Sequence, residues 1–200
     1  MTVCVKEGRT KTTRRGWLRL AGTGVALNLL PTGLLSPLAG AFAVGCGPGP
    51  VPPSAPSPKL GQSLPKFRRD TMDGRKVEVG RPGTGVTVVK FFAKYCKPCK
   101  KTLPEAQALS EAYPDVAFVG VAEDEYRKDV DEMIATYRLT FPVVHDRGNV
   151  LAGRFRVTQL PATFVADDTG TIRWVSIEST HGGGLEAAID WVRAGAPSQG

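Results

Sequence analysis

The stretch that most restricts what this chain can become is residues 85–99, Gly85-Val86-Thr87-Val88-Val89-Lys90-Phe91-Phe92-Ala93-Lys94-Tyr95-Cys96-Lys97-Pro98-Cys99. Its first part is β-branched and aromatic, the composition of a buried central strand. It ends at two cysteines spaced Cys-x-x-Cys, and Leu103, Ala106, Leu109 and Ala112 then recur at helical spacing. A helix therefore begins at Cys96 or just after. A strand that feeds straight into a helix argues against a purely helical bundle, and so do sixteen Pro and twenty-three Gly.

The rest of the pattern continues the alternation. Residues 64–79 contain Met72-Asp73-Gly74-Arg75 between two short extended runs, which predicts a hairpin with an Asp-Gly corner. A second strand is expected over 115–122, and a helix over 125–138 from Val130, Met133, Ile134 and Tyr137. A short strand at 141–145 and a short helix at 150–155 follow. Residues 162–166 and 171–175 form a second hairpin around Asp167-Asp168-Thr169-Gly170, and a helix over 185–192 closes the chain. The fold class is α/β: a mixed central sheet flanked by helices on both faces, with an N-terminal hairpin and a central strand-helix insertion. Two hundred residues suit one domain. Gly182-Gly183-Gly184 lacks the preceding strand and the Lys-Ser/Thr of a phosphate loop and reads as a flexible joint.

The formal charge of +7 points to nucleic acid only until it is located. Lys6, Arg9, Lys11, Arg14, Arg15 and Arg19 face one acid, Glu7, within residues 1–45. Beyond residue 45, twenty basic groups meet eighteen acidic ones, so no nucleic-acid partner is expected. The basic head and the uncharged run over 20–45 have the form of an export signal. Arg14-Arg15-Gly16-Trp17-Leu18-Arg19 resembles a twin-arginine signal, the general secretory route being the alternative. Ala41-Phe42-Ala43 suits an ordinary signal peptidase, whereas Ala43-Val44-Gly45-Cys46 resembles a lipobox, loosely because Ala43 stands where Leu is usual. Residues 46–58 are rich in Pro and read as an extended, semi-rigid tether that packs no core. A spacer of that kind favours lipidation of Cys46 and a membrane anchor. The division is then an export signal over 1–45, the tether, a domain over 59–196 and a tail over 197–200.

Of four cysteines, Cys4 lies in the head and Cys46 at its end, leaving Cys96 and Cys99 as the only pair in the folded part. A bond closing two intervening residues removes little chain entropy, so a structural role is poorly motivated. Structural zinc would need two further ligands, and only His145 and His181 are on offer. Redox chemistry explains the pair better. A helix N-terminus at Cys96 lowers its thiol pKa, and Lys97, with Lys94, Lys100 and Lys101 nearby, adds positive charge.

A strand running into Cys-x-x-Cys at a helix start, with Pro104 inside the helix and Leu160-Pro161-Ala162-Thr163-Phe164-Val165 far downstream, resembles thioredoxin. Asp73-Gly74 in the hairpin, the extra strand and helix between Val119 and Phe141, and Asp168-Thr169-Gly170 make it similar to the TlpA/ResA type of envelope thiol-disulfide oxidoreductase, over about residues 60 to 195. The resemblance implies that Cys96 is the nucleophile and that Cys99 resolves the mixed disulfide. It also implies a cis Pro161 beside the disulfide, with Leu160 and the aromatic Tyr95 docking an extended substrate. No cofactor beyond the Cys96-Cys99 disulfide is implied. The partners would be exported thiol or disulfide proteins and a membrane electron donor or another thioredoxin-like protein.

Two departures bear on mechanism. Lys90 stands where thioredoxin has a buried Asp, and Thr102 where ResA-type reductases have a Glu. Glu105 is one helical turn further and is no evident substitute. Lys90 is expected to snorkel to the surface, the alternative being burial with a depressed pKa that lets it assist resolution. The direction of exchange is expected to be reductive. The alternative function is a copper-binding envelope module using Cys96, Cys99 and His145. Peroxide reduction fits less well, since Ala93 stands three residues before Cys96 where peroxiredoxins present Thr.

Overall fold

The structure is a computed structural model that describes residues 51–177 and 184–196. The segment expected to be an export signal, Cys46, His181 and the C-terminal tail lie outside the described residues. The element order is β1 (Phe67–Asp70), β2 (Lys76–Val79), β3 (Thr87–Phe92), α1 (Lys97–Ala112), β4 (Ala117–Ala122), α2 (Arg127–Tyr137), β5 (Val143–His145), α3 (Val150–Phe155), β6 (Ala162–Ala166), β7 (Ile172–Ile177) and α4 (Leu185–Arg193). Among the described residues no helix is long and apolar enough to cross a membrane.

The central sheet runs β5-β4-β3-β6-β7, with β3, β4 and β5 parallel, β6 antiparallel to β3, and β7 antiparallel to β6. All six residues of β3 are buried, the apolar ones as expected and Lys90 with them. Side chains alternate across it. Val88 and Phe92 join one core with Cys99 and Leu103 of α1, Val130 and Met133 of α2, and Ile189 of α4. Val89 and Phe91 join a second core with Leu151 and Phe155 of α3 and with Phe67 and Val79 of the β1–β2 hairpin. Helices thus cover both faces. The hairpin turns at Gly74, whose φ of +84° suits a residue without a Cβ.

The described part of the Pro-rich run, residues 51–58, differs from its reading as a tether that packs nothing. Ala55 is fully buried and donates its N–H to Val175 O at 2.7 Å. Ser54 Oγ accepts from Val175 N at 3.0 Å, and Trp174 Nε1 donates to Pro53 O at 2.8 Å. Gly61 and Gln62 exchange backbone hydrogen bonds with Ile172 further along. The physical reason is the open edge of β7. Its unpaired backbone groups need partners, and a Pro-rich segment, already extended, supplies them at small entropic loss.

Candidate functional site

Sheet register assembles the site. In the parallel pair β3–β4, Phe92 lies opposite Ala122, so the residues that follow each strand emerge side by side. Those residues are Ala93 to Cys96 after β3 and Glu123 and Asp124 after β4. Strand β6 runs the other way, with Ala162 opposite Phe91, so Leu160 and Pro161, which precede it, arrive at the same edge. Sites in sheets of this kind gather at the carboxyl ends of the parallel strands.

Cys96 caps α1 from outside, with φ −79° and ψ 102°, and its Sγ accepts the Cys99 N–H at 3.1 Å. The first turn of α1 carries no acidic residue, so no side chain of that turn offsets the positive end of the helix dipole at Cys96. Cys96 and Cys99 are joined by a disulfide with an S–S distance of 2.01 Å. Cys99 is fully buried, whereas Cys96 lines an open cleft of about 700 Å³ with Tyr95, Lys97, Pro98, Glu123 and Leu160. The Leu160–Pro161 peptide bond is cis. Tyr95 is 69% exposed at the rim, and Lys97 is exposed beside it.

Two lysines differ from expectation. Lys94 does not offer a free charge to the thiol: its Nζ pairs with Asp129 at 2.8 Å and Glu132 at 2.6 Å, and these bonds raise its pKa. Lys90 does not snorkel. It lies in the middle of β3, paired with Gly120 on one side and Thr163 on the other, too far inside the sheet for its stem to reach water. It is 4% exposed and donates from Nζ to Thr163 Oγ1 at 3.3 Å. Burial pushes its pKa down to about 8, against the opposing pull of the Glu105 charge.

The carboxylates after the parallel strands fall into two kinds. Asp124 holds the turn before Cys96, accepting the Lys94 N–H at 2.9 and 3.2 Å, and its own carbonyl meets His145 Nε2 at 2.7 Å. Asp146 accepts the Leu151 and Ala152 N–H groups at the start of α3, both at 2.9 Å. Glu123 has no such bond at Oε1, which is buried without a hydrogen-bond partner. Burial raises its pKa to about 7, with Asp146 and Asp124 adding repulsion. The sequence reading passed over Glu123. The signal available was its place directly after a parallel strand adjacent to the one that leads to Cys96. Glu105 and Thr102 lie on α1 and are not among the residues lining the cleft. Among the described residues no cluster of three or more His, Cys, Asp or Glu is arranged to hold a metal ion.

Comparison with known proteins agrees with this arrangement. The family model described as AhpC/TSA family matches residues 60–175. The chain is 31% identical over 117 residues to "Thiol-disulfide oxidoreductase ResA" of Bacillus cereus, covering 57% of this chain and 67% of that protein. It is 28% identical over 134 residues to "Thioredoxin-like protein YneN" of Bacillus subtilis, covering 65% and 78%. The crystal structure of StoA from Bacillus subtilis superposes with a TM-score of 0.55 at 26% identity, covering 67% of this chain and 98% of that one. A disulfide at the start of a helix, a cis proline beside it and these relatives lead to one assignment: the chain belongs to the AhpC/TSA family, as a thiol-disulfide oxidoreductase of thioredoxin-like fold.

Proposed function

We propose that this oxidoreductase works in a bacterial cell envelope, held to a membrane through a lipid on Cys46, and passes electron pairs from Cys96 and Cys99 to disulfides of exported proteins. The observation that carries the reading is the unequal access of the two sulfurs: Cys96, though only 5% exposed, borders the cleft, whereas Cys99 is fully buried and does not line it. Cys96 attacks, because an external sulfur can reach only Cys96 and the helix N-terminus stabilises its thiolate. Cys99, held one turn inside, then attacks Cys96 Sγ and releases the substrate. The backbone of Leu160, turned outward by the cis Pro161, pairs with an extended substrate segment, and Tyr95 gives that segment an apolar surface. The redox cofactor is the cysteine pair itself, which a membrane electron donor or another thioredoxin-like protein reduces again.

Reduction of insulin disulfides by the dithiothreitol-coupled protein tests the pair. Wild type is active and Cys96→Ala is inactive; equal rates overturn the assignment of Cys96. Radiolabelled palmitate incorporated into the full chain and lost in Cys46→Ala tests the anchor.

A further inference from the structure

The cleft beside Cys96 contains a carboxylate that nothing in the fold uses. Glu123 shares its wall with Cys96, Pro98 and Leu160. Its backbone is fixed, the N–H donating to Phe92 O at 3.0 Å, four residues before Cys96. Its Oε1 is the only buried side-chain oxygen or nitrogen among the described residues with no hydrogen-bond partner. Leaving such an atom unpaired is costly, and an orphaned polar group of this kind calls for a functional explanation. Asp124 and Asp146, by contrast, are fully engaged by backbone N–H groups. Disulfide exchange also has a need that fits. Protons must leave Cys99 and reach a departing sulfur, yet positions 90 and 102 carry Lys and Thr.

We propose that Glu123 is the proton carrier of exchange at Cys96 and Cys99, an inference that rests on the assignment of those two sulfurs above. The reduced protein begins with a Cys96 thiolate, a Cys99 thiol and a protonated Glu123. The thiolate attacks one sulfur of the substrate disulfide, the substrate S–S bond breaks, and a mixed disulfide forms. The second substrate sulfur leaves as a thiolate and takes the proton of Glu123. The Glu123 carboxylate then removes the proton of Cys99. The Cys99 thiolate attacks Cys96 Sγ, the mixed disulfide breaks, and the first substrate sulfur leaves as a thiolate that water protonates. Two electrons have passed to the substrate disulfide, and Glu123 is again protonated. Run backwards, the same steps oxidise a substrate dithiol.

The environment of Glu123 suits a carrier at neutral pH. Burial, with Asp146 and Asp124 nearby, holds its pKa at about 7, where protonated and ionised forms are both populated. Tyr95 from the loop before α1 and Lys97 from α1 line the same cleft. Lys94 and Lys100 lie on the other side of Glu123, with Lys94 committed to Asp129 and Glu132. His145 of β5 faces the Asp124 carbonyl.

The test is single-turnover reduction of a disulfide-bonded peptide by the reduced protein, quenched and read as protein disulfide formed, from pH 5 to 9. The wild-type rate is expected to inflect near pH 7. Glu123→Gln should lose that inflection and react roughly 100-fold more slowly at pH 7, the lower end of the range of general acid-base catalysis, and Glu123→Asp should restore the inflection. A Glu123→Gln profile that overlies wild type overturns the proposal. Cys96→Ser separates the two failures. If it still exchanges, the assignment of the sulfurs falls. If it is inactive while Glu123→Gln matches wild type, only the proton carrier falls. Carbon-13 titration of the Glu123 carboxyl in the unaltered oxidised protein is independent of any folding defect, and an ordinary glutamate titration there also overturns the proposal.

Discussion

The sheet interior under α1 and the cleft at the sheet edge each hold an ionisable group drawn toward neutrality, from opposite ends of the scale. In the interior, Lys90 has its pKa lowered to about 8 by burial. At the edge, Glu123 has its pKa raised to about 7, again by burial first. In both places the fold disfavours the charged form, but the consequences for stability run in opposite directions with pH. Between about 8 and 10.5 the unfolded chain holds the Lys90 proton more tightly than the folded one, so this group makes stability rise with pH. Between 4.5 and about 7 the folded chain holds the Glu123 proton more tightly, so that group makes stability fall as pH rises. The difference in setting separates their roles. Lys90 has Thr163 as a partner and no opening to substrate, whereas Glu123 has no partner at Oε1 and faces the cleft. Burial perturbs both, and access singles out the one positioned to exchange protons.

Removing the interior charge should give the largest effect. A shift from 10.5 to about 8 corresponds to roughly 3 kcal/mol at pH 7. Lys90→Met keeps the length of the side chain and is therefore expected to stabilise the fold by up to about that amount, with the rise between pH 8 and 10.5 removed. Urea unfolding at pH 7 and pH 10 measures both, and a variant less stable than wild type at pH 7 breaks the comparison. The next effect concerns the residue paired with Lys90. A Cβ on Gly120 would lie 3.0 Å from the rings of Phe92 and Phe141 and 3.2 Å from Val143. Gly120→Ala should destabilise by about 1–3 kcal/mol through overpacking, and a thermal midpoint equal to wild type would show that this wall yields.

The smallest effect belongs to the exposed rim. Lys97 is expected to favour the Cys96 thiolate, and so to favour the reduced pair and make the protein more oxidising. One pKa unit of thiolate stabilisation is about 30 mV for a two-electron couple, and solvent screening holds an exposed lysine near or below that. The pair is therefore expected near thioredoxin, at about −270 mV, rather than near DsbA at about −120 mV. Lys97→Glu should move it further negative. Equilibration with glutathione reads both values, and a wild-type potential above roughly −180 mV would mark an oxidase.

Much of the architecture was legible because it is local. Residues 85–99 announce a buried strand and a helix start, Asp73-Gly74 announces a hairpin, and Leu160-Pro161 marks the entry to β6. The fates of Lys90 and of the Pro-rich run were not. A lysine in an apolar strand reads as a residue that escapes to water, and only neighbours on both sides of β3 remove that route. A Pro-rich run reads as a spacer, and only the open edge of β7 gives its backbone something to bond.

The sulfur chemistry and the strand-to-helix frame that carries it are written in consecutive residues, since hydrophobic periodicity and a helix start act over a few positions. The company those sulfurs keep is a matter of register. Glu123 is twenty-seven residues from Cys96 in the chain and Leu160 sixty-four, and each reaches the cleft because β4 and β6 align with β3. Whether a carboxyl at that edge is left unpaired, and how far burial displaces its proton, depends on the packing of three separate strands, which no local stretch of sequence encodes.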